Sequence, residues 1–157
     1  MRVSALRLSF IVFMMLFLSI IPLTPPLHFF RPLWLLLLVI YLRSTVPKQS
    51  SVMFIMLLGL ILDAMGAGAL GLHAFALLLT AYFVSKRALR FRLFSMSQQL
   101  FGIVAFSCLY QAVLLLIQIL WGYPVSIGAV LGPIVMSVLC WPWLQYLGDR
   151  LFFPPVR

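Results

Sequence analysis

Long apolar stretches, separated by prolines, glycines and basic clusters, divide the 157-residue chain into six candidate helices. The stretches are too long and too continuous for the alternating strands of a membrane barrel. At membrane depth every backbone amide and carbonyl must be hydrogen-bonded within the protein, which leaves helices as the expected structure. The predicted helices cover residues 8–23, 32–46, 52–65, 72–85, 100–121 and 127–147.

Helix-breaking residues set these boundaries. Pro22 and Pro47 end the first and second helices, because proline lacks an amide N–H and clashes with the preceding turn. Pro32 precedes the second helix, since proline suits the first helical turn. A glycine-rich break separates the third helix from the fourth, because glycine lets the backbone turn sharply. The glycines of this break are Gly66, Gly68 and Gly71.

Composition places these helices in lipid. Apolar residues make up 65% of the chain and charged residues 8%, whereas a soluble domain carries roughly 25% charged residues. A bilayer crossing takes about 20 helical residues, so the length allows at most six or seven spans with short loops and no additional soluble module. We therefore predict an all-α integral membrane protein with a single transmembrane domain over residues 1–157. The basic, apolar N-terminus has no A-x-A-like cleavage site and is expected to be a retained first span.

The distribution of positive charge predicts the topology. The net charge is +9, but the basic residues recur at the ends of apolar runs, which argues against a nucleic-acid-binding patch. With six spans, ten of the 11 lysines and arginines lie on the same side as the N-terminus, and Arg31 alone lies on the other. Because cytoplasmic loops are enriched in basic residues, both termini are predicted to be cytoplasmic.

Five spans, formed by fusing the third and fourth helices, would break this charge bias. A re-entrant pair that enters and leaves the membrane from the cytoplasmic side would preserve it. The charge pattern therefore favours an even number of crossings and leaves the path of helices three and four open between these two forms.

Asp63 is the most informative single residue. The chain has two acidic residues, Asp63 and Asp149. An acid at membrane depth costs about 2.5–3.5 kcal/mol on insertion scales, so Asp63 requires a partner, water or a function. One possibility is hydrogen bonding to the amides of the glycine turn. The other is an ion pair with Arg31, which we expect on the same side of the membrane. His73 makes a proton relay imaginable, but two residues do not form a pathway.

Two other segments suggest contact with the membrane surface. The run 86–92 is basic and interleaved with leucine and phenylalanine, which favours an interfacial helix on anionic lipid over a site for a protein partner. Trp141 and Trp143 flank Pro142 near the end of the sixth helix. Tryptophan is enriched in the interface belt of membrane proteins, and proline would kink the helix.

Three motifs, in this order along the chain, resemble the family of the bacterial rod shape-determining protein MreD. The first is the tetrapeptide Arg31-Pro32-Leu33-Trp34, which follows a phenylalanine pair and precedes a leucine-rich run. The third is Trp141-Pro142-Trp143. Between them lies a string of small residues around the acid, made of Gly59, Asp63, Gly66, Gly68, Leu70 and Gly71. The resemblance covers essentially the whole chain.

The resemblance implies a non-enzymatic scaffold of the rod complex, which supports lateral cell-wall synthesis from the bacterial inner membrane. It implies direct binding to MreC, with MreB, RodA and penicillin-binding protein 2 as further members of the complex. It also implies a bundle similar to the substrate-binding components of energy-coupling-factor transporters. We expect the region around Arg31 and Asp63 to be structurally important, and spans two to four to form the partner surface.

Two other function classes are weighed against this scaffold. A small-molecule binding or transport protein would need an enclosed pocket with convergent polar groups, for which the spans offer few side chains. These are Thr80, Ser107, Tyr110, Gln111 and Gln118. An intramembrane enzyme would need a nucleophile and a base, but the chain has no HExxH or GxSxG motif. Cys108 and Cys140 lack CxxC spacing, so no cofactor, metal site or catalytic residue is predicted.

Overall fold

A computed structural model describes residues 5–20, 31–45, 51–65, 70–91, 93–122 and 127–152. Within these residues the regular structure consists of six α-helices. They are α1 (Ala5–Ile20), α2 (Trp34–Thr45), α3 (Val52–Met65), α4 (Leu72–Phe91), α5 (Met96–Leu120) and α6 (Ile127–Phe152). The all-helical class expected from the continuous apolar runs is therefore confirmed.

The sequence had suggested a separate interfacial helix in the basic run 86–92, but its described residues, 86–91, continue α4. Residues up to Phe91 extend α4, and α5 already begins at Met96. The extension is stabilised by Phe91, whose buried ring packs against Trp141 with 5.8 Å between the ring centroids. At the start of α5 the Ser95 amide donates to Gln98 Oε1 at 3.3 Å, which is half of a capping box.

Helix α2 lies at the centre of the bundle and packs against α1, α4 and α6. All eight residues of the run 35–42 are buried. A helix that is apolar on every side belongs in the interior of a protein, so the short length of α2 reflects enclosure by neighbouring helices. The expectation that spans two to four form the partner surface is therefore wrong for α2, because its side chains are covered.

Consecutive helices run in opposite directions. At one end, the C-terminal parts of α1 and α3 meet the N-terminal parts of α2, α4 and α6 around a cavity lined by Ser19, Met65, Arg31, His73 and Ala129. We call this the Arg31 end. At the other end, the C-terminal parts of α2, α4 and α6 meet the start of α5 around a small cleft. We call this the Asp149 end, after one of the residues that line the cleft.

Positive charge is separated between the two ends, as the sequence predicted. Arg43 lies in the last turn of α2 and Arg150 in the last turn of α6, both at the Asp149 end. Lys86 and Arg87 lie near the C-terminal end of α4, on the same side. Arg31 lies at the opposite end, where it lines the larger cavity.

The outward faces of the bundle are apolar. On α6, five large exposed side chains recur every four residues and so form one stripe: Leu131, Val135, Leu139, Trp143 and Leu147. Exposed phenylalanines and methionines continue this surface on α1 and α3. Water-soluble proteins rarely expose contiguous apolar patches larger than a few hundred Å². Helix α5 and residues Gly128–Arg150 of α6 are also long and apolar enough to cross a bilayer, so this surface fits a lipid environment.

Candidate functional site at the Arg31 end

The carboxylate of Asp63, on α3, caps the N-terminus of α4. Its Oδ2 atom accepts the Gly71 amide at 2.9 Å and the Ala74 amide at 3.2 Å, and its Oδ1 atom accepts the His73 amide at 3.0 Å. The first amides of a helix have no partner inside the helix, and negative charge is favoured there. Since Gly71 has no side-chain oxygen to offer as a cap, the neighbouring helix supplies one.

The ion pair predicted between Asp63 and Arg31 is wrong. The partner of Asp63 is His73, whose Nδ1 atom lies 2.7 Å from Asp63 Oδ1. Because the carboxylate is the acceptor, Nδ1 is the nitrogen that donates. The His73 ring also lies 6.4 Å from the ring of Tyr110, between centroids. The alternative that the sequence offered, hydrogen bonding of Asp63 to the glycine turn, is confirmed for Gly71.

Small residues bring α3 and α4 close enough for this cap. Gly59 lies one helical turn before Asp63 on the same face of α3. A Cβ atom added to Gly59 would lie 2.8 Å from the Cβ and amide nitrogen of Ala74, closer than side chains tolerate. Gly71 has a φ of +95°, a left-handed conformation that favours glycine. Gly66 and Gly68 lie outside the described residues.

The segment before α2 is fixed by α6. The Leu33 amide donates to Ser137 Oγ at 2.9 Å, and that hydroxyl donates to the Pro133 carbonyl at 2.6 Å. The Leu37 amide bonds to the Leu33 carbonyl, so Leu33 is the cap residue of α2. The sequence had suggested that Pro32 lies in the first turn of the second helix, but Pro32 precedes the cap residue and lies outside that turn. Ser137 was not foreseen, because a single serine in an apolar run gives no indication of a distant partner.

A cavity of about 390 Å³ opens between these helix ends. Its wall is mostly apolar, with contributions from α2, α3, α5 and α6, and it includes Pro32 and Trp34 of the first motif. Its polar or charged side chains, apart from the Trp34 indole, are those of Ser19, Arg31, His73, Tyr110, Gln111 and Gln118. Three of these six were recognised in the sequence as the scarce polar residues of the spans, but nothing in their spacing placed them around one cavity.

The guanidinium of Arg31 is only partly solvated. Its Nη2 atom is buried and has no hydrogen-bond partner among the described residues. Burial lowers the pKa of Arg31 from its usual value by desolvation, yet arginine remains a cation in proteins. The positive charge of Arg31 therefore lies at the wall of the cavity, and no carboxylate among the described residues pairs with it.

The third motif lies at the Asp149 end and is divided between core and surface. Trp141 is buried, and its Nε1 atom donates to Gln99 Oε1 at 3.2 Å. The Gln99 amide in turn donates to the Phe94 carbonyl at 3.1 Å. The interface-belt prediction is therefore wrong for Trp141, whereas Trp143 is 73% exposed on the lipid-facing stripe. Helix α6 continues through Pro142.

Comparison with known proteins decides the family. The sequence model described as rod shape-determining protein MreD matches residues 2–150. The chain belongs to the MreD family. It is 29% identical over 122 residues to a rod shape-determining protein MreD of Haemophilus influenzae (strain ATCC 51907 / DSM 11121 / KW20 / Rd), which covers 77% of this chain and 75% of that protein. No solved structure matches the chain significantly. The MreD assignment connects this apolar bundle with the determination of rod shape.

Proposed function

We propose that this MreD-family chain is a non-enzymatic, six-span scaffold of the bacterial inner membrane. In this role it binds MreC directly and supports lateral cell-wall synthesis, with MreB, RodA and penicillin-binding protein 2 in the same complex. The observation that carries the proposal is the family match, which extends over residues 2–150 and connects the chain with rod shape. The expected likeness to the substrate-binding components of energy-coupling-factor transporters belongs to the same proposal.

The charge distribution supports the proposed topology. The Asp149 end carries Arg43, Lys86, Arg87 and Arg150, whereas Arg31 is at the opposite end. The positive-inside rule assigns the basic end to the cytoplasm. Since consecutive helices run antiparallel and the first and last helices have their outer termini at the basic end, both chain termini are then cytoplasmic. In the proposed topology the α3–α4 pair crosses the bilayer, with Lys86 and Arg87, in the last part of helix α4, at the cytoplasmic surface.

The surface of the bundle supports recognition in lipid. With α2 enclosed, α4 and α3 hold the accessible parts of the partner surface expected from the sequence, and we propose that MreC binds the outer face of α3. Its exposed side chains are Val52, Met53, Met56, Leu57 and Leu60. Methionine adapts its shape to a partner more readily than branched residues do. Single contacts between helices in a membrane contribute about 0.6–2 kcal/mol, so a stable MreC complex requires several of them.

Two experiments test this function. Depletion of the protein is expected to round rod-shaped cells without altering nutrient uptake, and a tagged copy in mild detergent is expected to recover MreC. Persistence of rods together with failure to recover MreC would contradict the scaffold.

The partner face is tested by site-specific photo-crosslinking in cells. A photoreactive amino acid at Met56 of α3 is expected to crosslink to MreC. The same group at Leu139, which is exposed on the far stripe of α6, serves as the matched control. Equal crosslinking from both positions would contradict the proposal that α3 forms the face that binds MreC.

A further inference from the structure

Among the described residues, no carboxylate pairs with the charge on Arg31. The sequence contains two acidic residues and no glutamate. Asp63 is occupied by three backbone amides and His73. Asp149 lies at the opposite end of the bundle, where its Oδ1 atom accepts the Tyr41 hydroxyl at 2.9 Å. A partly buried cation without a paired anion is unfavourable, so the anion that balances Arg31 must come from outside the chain.

Two further polar side chains line the cavity with Arg31. Gln111 is 7% exposed and Tyr110 is 3% exposed. The Gln111 amide and the Tyr110 hydroxyl can both donate hydrogen bonds to a group that enters the cavity. Gln118, two helical turns after Gln111 on α5, adds a further amide to the wall.

The cavity has the size and composition of a small-molecule site. Its volume of about 390 Å³ falls within the range of roughly 300–1,000 Å³ typical of ligand pockets. The Arg31 guanidinium, the Tyr110 hydroxyl and the amides of Gln111 and Gln118 can all donate hydrogen bonds, which suits a ligand with several acceptor oxygens. The remaining wall is apolar, with Leu36, Leu62, Leu114 and Pro133 among its residues. This combination fits an oxyanion attached to an apolar chain.

We propose that the cavity at the Arg31 end binds the oxyanion headgroup of an amphiphile, with a phosphate as the favoured chemistry. The Arg31 guanidinium pairs with the anion, because its planar fork matches phosphate oxygens. Gln111 and Tyr110 donate hydrogen bonds to the same group, and the leucines of the wall contact the start of the apolar chain. Under the topology proposed above, the ligand enters from the outer side of the membrane.

Binding to the purified full-length protein tests this site. The protein in a neutral detergent is titrated with dioleoyl phosphatidate, dioleoyl phosphatidylglycerol and inorganic phosphate, with dioleoyl phosphatidylcholine, whose headgroup is zwitterionic and has no net charge, as the comparison. Binding is followed by native mass spectrometry and by the shift in unfolding temperature. Preference for either anionic lipid over phosphatidylcholine supports the amphiphile. Stabilisation by inorganic phosphate alone identifies a free anion as the ligand and overturns the amphiphile while retaining the oxyanion site.

Variants separate the site from general electrostatic attraction. Arg31→Gln is expected to weaken binding of the anionic lipid by about tenfold or more, which corresponds to about 1.4 kcal/mol. Arg87→Gln removes the same charge from an exposed position at the opposite end and is the matched control. Equal binding by wild type and Arg31→Gln, or equal loss in both variants, would overturn the proposal.

A second variant keeps the test valid if Arg31→Gln is poorly folded. Gln111→Leu preserves side-chain volume and all charges but removes the amide that faces the cavity. It is expected to weaken binding of the anionic lipid while leaving the unfolding temperature of the ligand-free protein unchanged or higher. Undiminished lipid binding by Gln111→Leu in a folded protein would count against the site. Neither measurement involves MreC, so failure here is distinguishable from failure of the scaffold function.

Discussion

At the scale of single residues, one carboxylate joins two helices. Asp63 supplies acceptors to the first turn of α4, which otherwise has none, and it also binds the His73 ring. This explains how an acid is accommodated in an apolar bundle. Among the described residues, the hydrogen bonds of Asp63 join α3 to the start of α4, so the carboxylate fixes that pair and is not the partner of Arg31.

Removal of this cap should destabilise the start of α4. For Asp63→Ala we expect a loss of about 1–3 kcal/mol, because buried amides are left without acceptors. Asp63→Asn keeps one acceptor oxygen and should lose less. Hydrogen exchange of the Gly71, His73 and Ala74 amides, measured in detergent, should accelerate. Asp149→Ala is the control, since it lies at the opposite end; unchanged exchange in Asp63→Ala would refute the cap.

The revised pairing also predicts the outcome of a charge swap. Asp63→Arg combined with Arg31→Asp should not restore the stability that Asp63→Arg alone loses, because the two side chains are not partners in the structure. The comparison requires the unfolding temperatures of both single variants and of the double variant. A double variant as stable as the wild type would support an ion pair between Asp63 and Arg31 and would contradict the pairing of Asp63 with His73.

The two tryptophans of the third motif should respond very differently to substitution. Trp141→Phe removes a buried hydrogen bond to Gln99 and part of the packing on Phe91, for which we expect about 1–3 kcal/mol. Trp143→Phe, at a 73% exposed position, should change stability by less than about 0.5 kcal/mol. A double-mutant cycle with Gln99→Leu should give a coupling of about 0.5–1.5 kcal/mol for Trp141 and none for Trp143.

At the scale of helices, close approach decides which elements pair. Gly59 allows α3 to pack against the backbone of α4 at Ala74. Gly148 likewise allows α6 to pack against the Tyr41 ring of α2. Because lipid provides no hydrophobic driving force for helices to associate, such close packing is a main source of their association. The α3–α4 pair is therefore held by a small-residue contact at one level and the Asp63 cap one turn further on.

Gly59→Ala should separate α3 from α4. The added methyl group would collide with Ala74, and overpacking of this kind costs about 1–3 kcal/mol. Thermal unfolding in detergent measures the loss. Addition of Ala74→Gly should recover part of it, since the Ala74 Cβ is one of the colliding atoms. Gly128→Ala, at an exposed position of α6, should be nearly neutral; a similar loss at both glycines would argue against a specific contact.

At the scale of the whole molecule, charge and cavity lie on opposite ends of one bundle. The Asp149 end is basic, and the Arg31 end carries the polar cavity. Between them the surface is apolar and α2 forms the axis. A scaffold of this form can contact partner helices along its sides while its two ends face different compartments.

Cysteine accessibility tests the orientation. In a background without Cys108 and Cys140, Leu70→Cys and Leu93→Cys place single thiols at positions that are 75% and 85% exposed, at the Arg31 end and the Asp149 end respectively. A membrane-impermeant maleimide should label Leu70→Cys in intact spheroplasts and Leu93→Cys only after the membrane is opened. A re-entrant α3–α4 pair would leave Leu70→Cys unlabelled from outside, and the opposite pattern would invert the topology.

The apolar runs, their breaking residues and the distribution of charge were enough to predict six helices and a basic end. These features act locally, because the length of an apolar run and the residues that end it determine where a helix can lie in lipid. The predicted bounds of the third helix agree with α3, whereas α4 and α6 continue beyond their predicted ends into polar sequence. In those extensions tertiary contacts, such as Phe91 on Trp141, outweigh the local polarity.

Only the tertiary structure decided which side chains meet. Trp141 and Gln99 are 42 residues apart, and the cavity joins Arg31 to residues of all six described helices. Such contacts depend on how the helices are arranged around α2, and hydropathy cannot report this because every helix here is apolar. Sequence alone therefore predicted a helical membrane protein with one basic end, and folding determined that Asp63 would cap α4, that Trp141 would be buried, and that Arg31 would line a cavity with no carboxylate paired to it among the described residues.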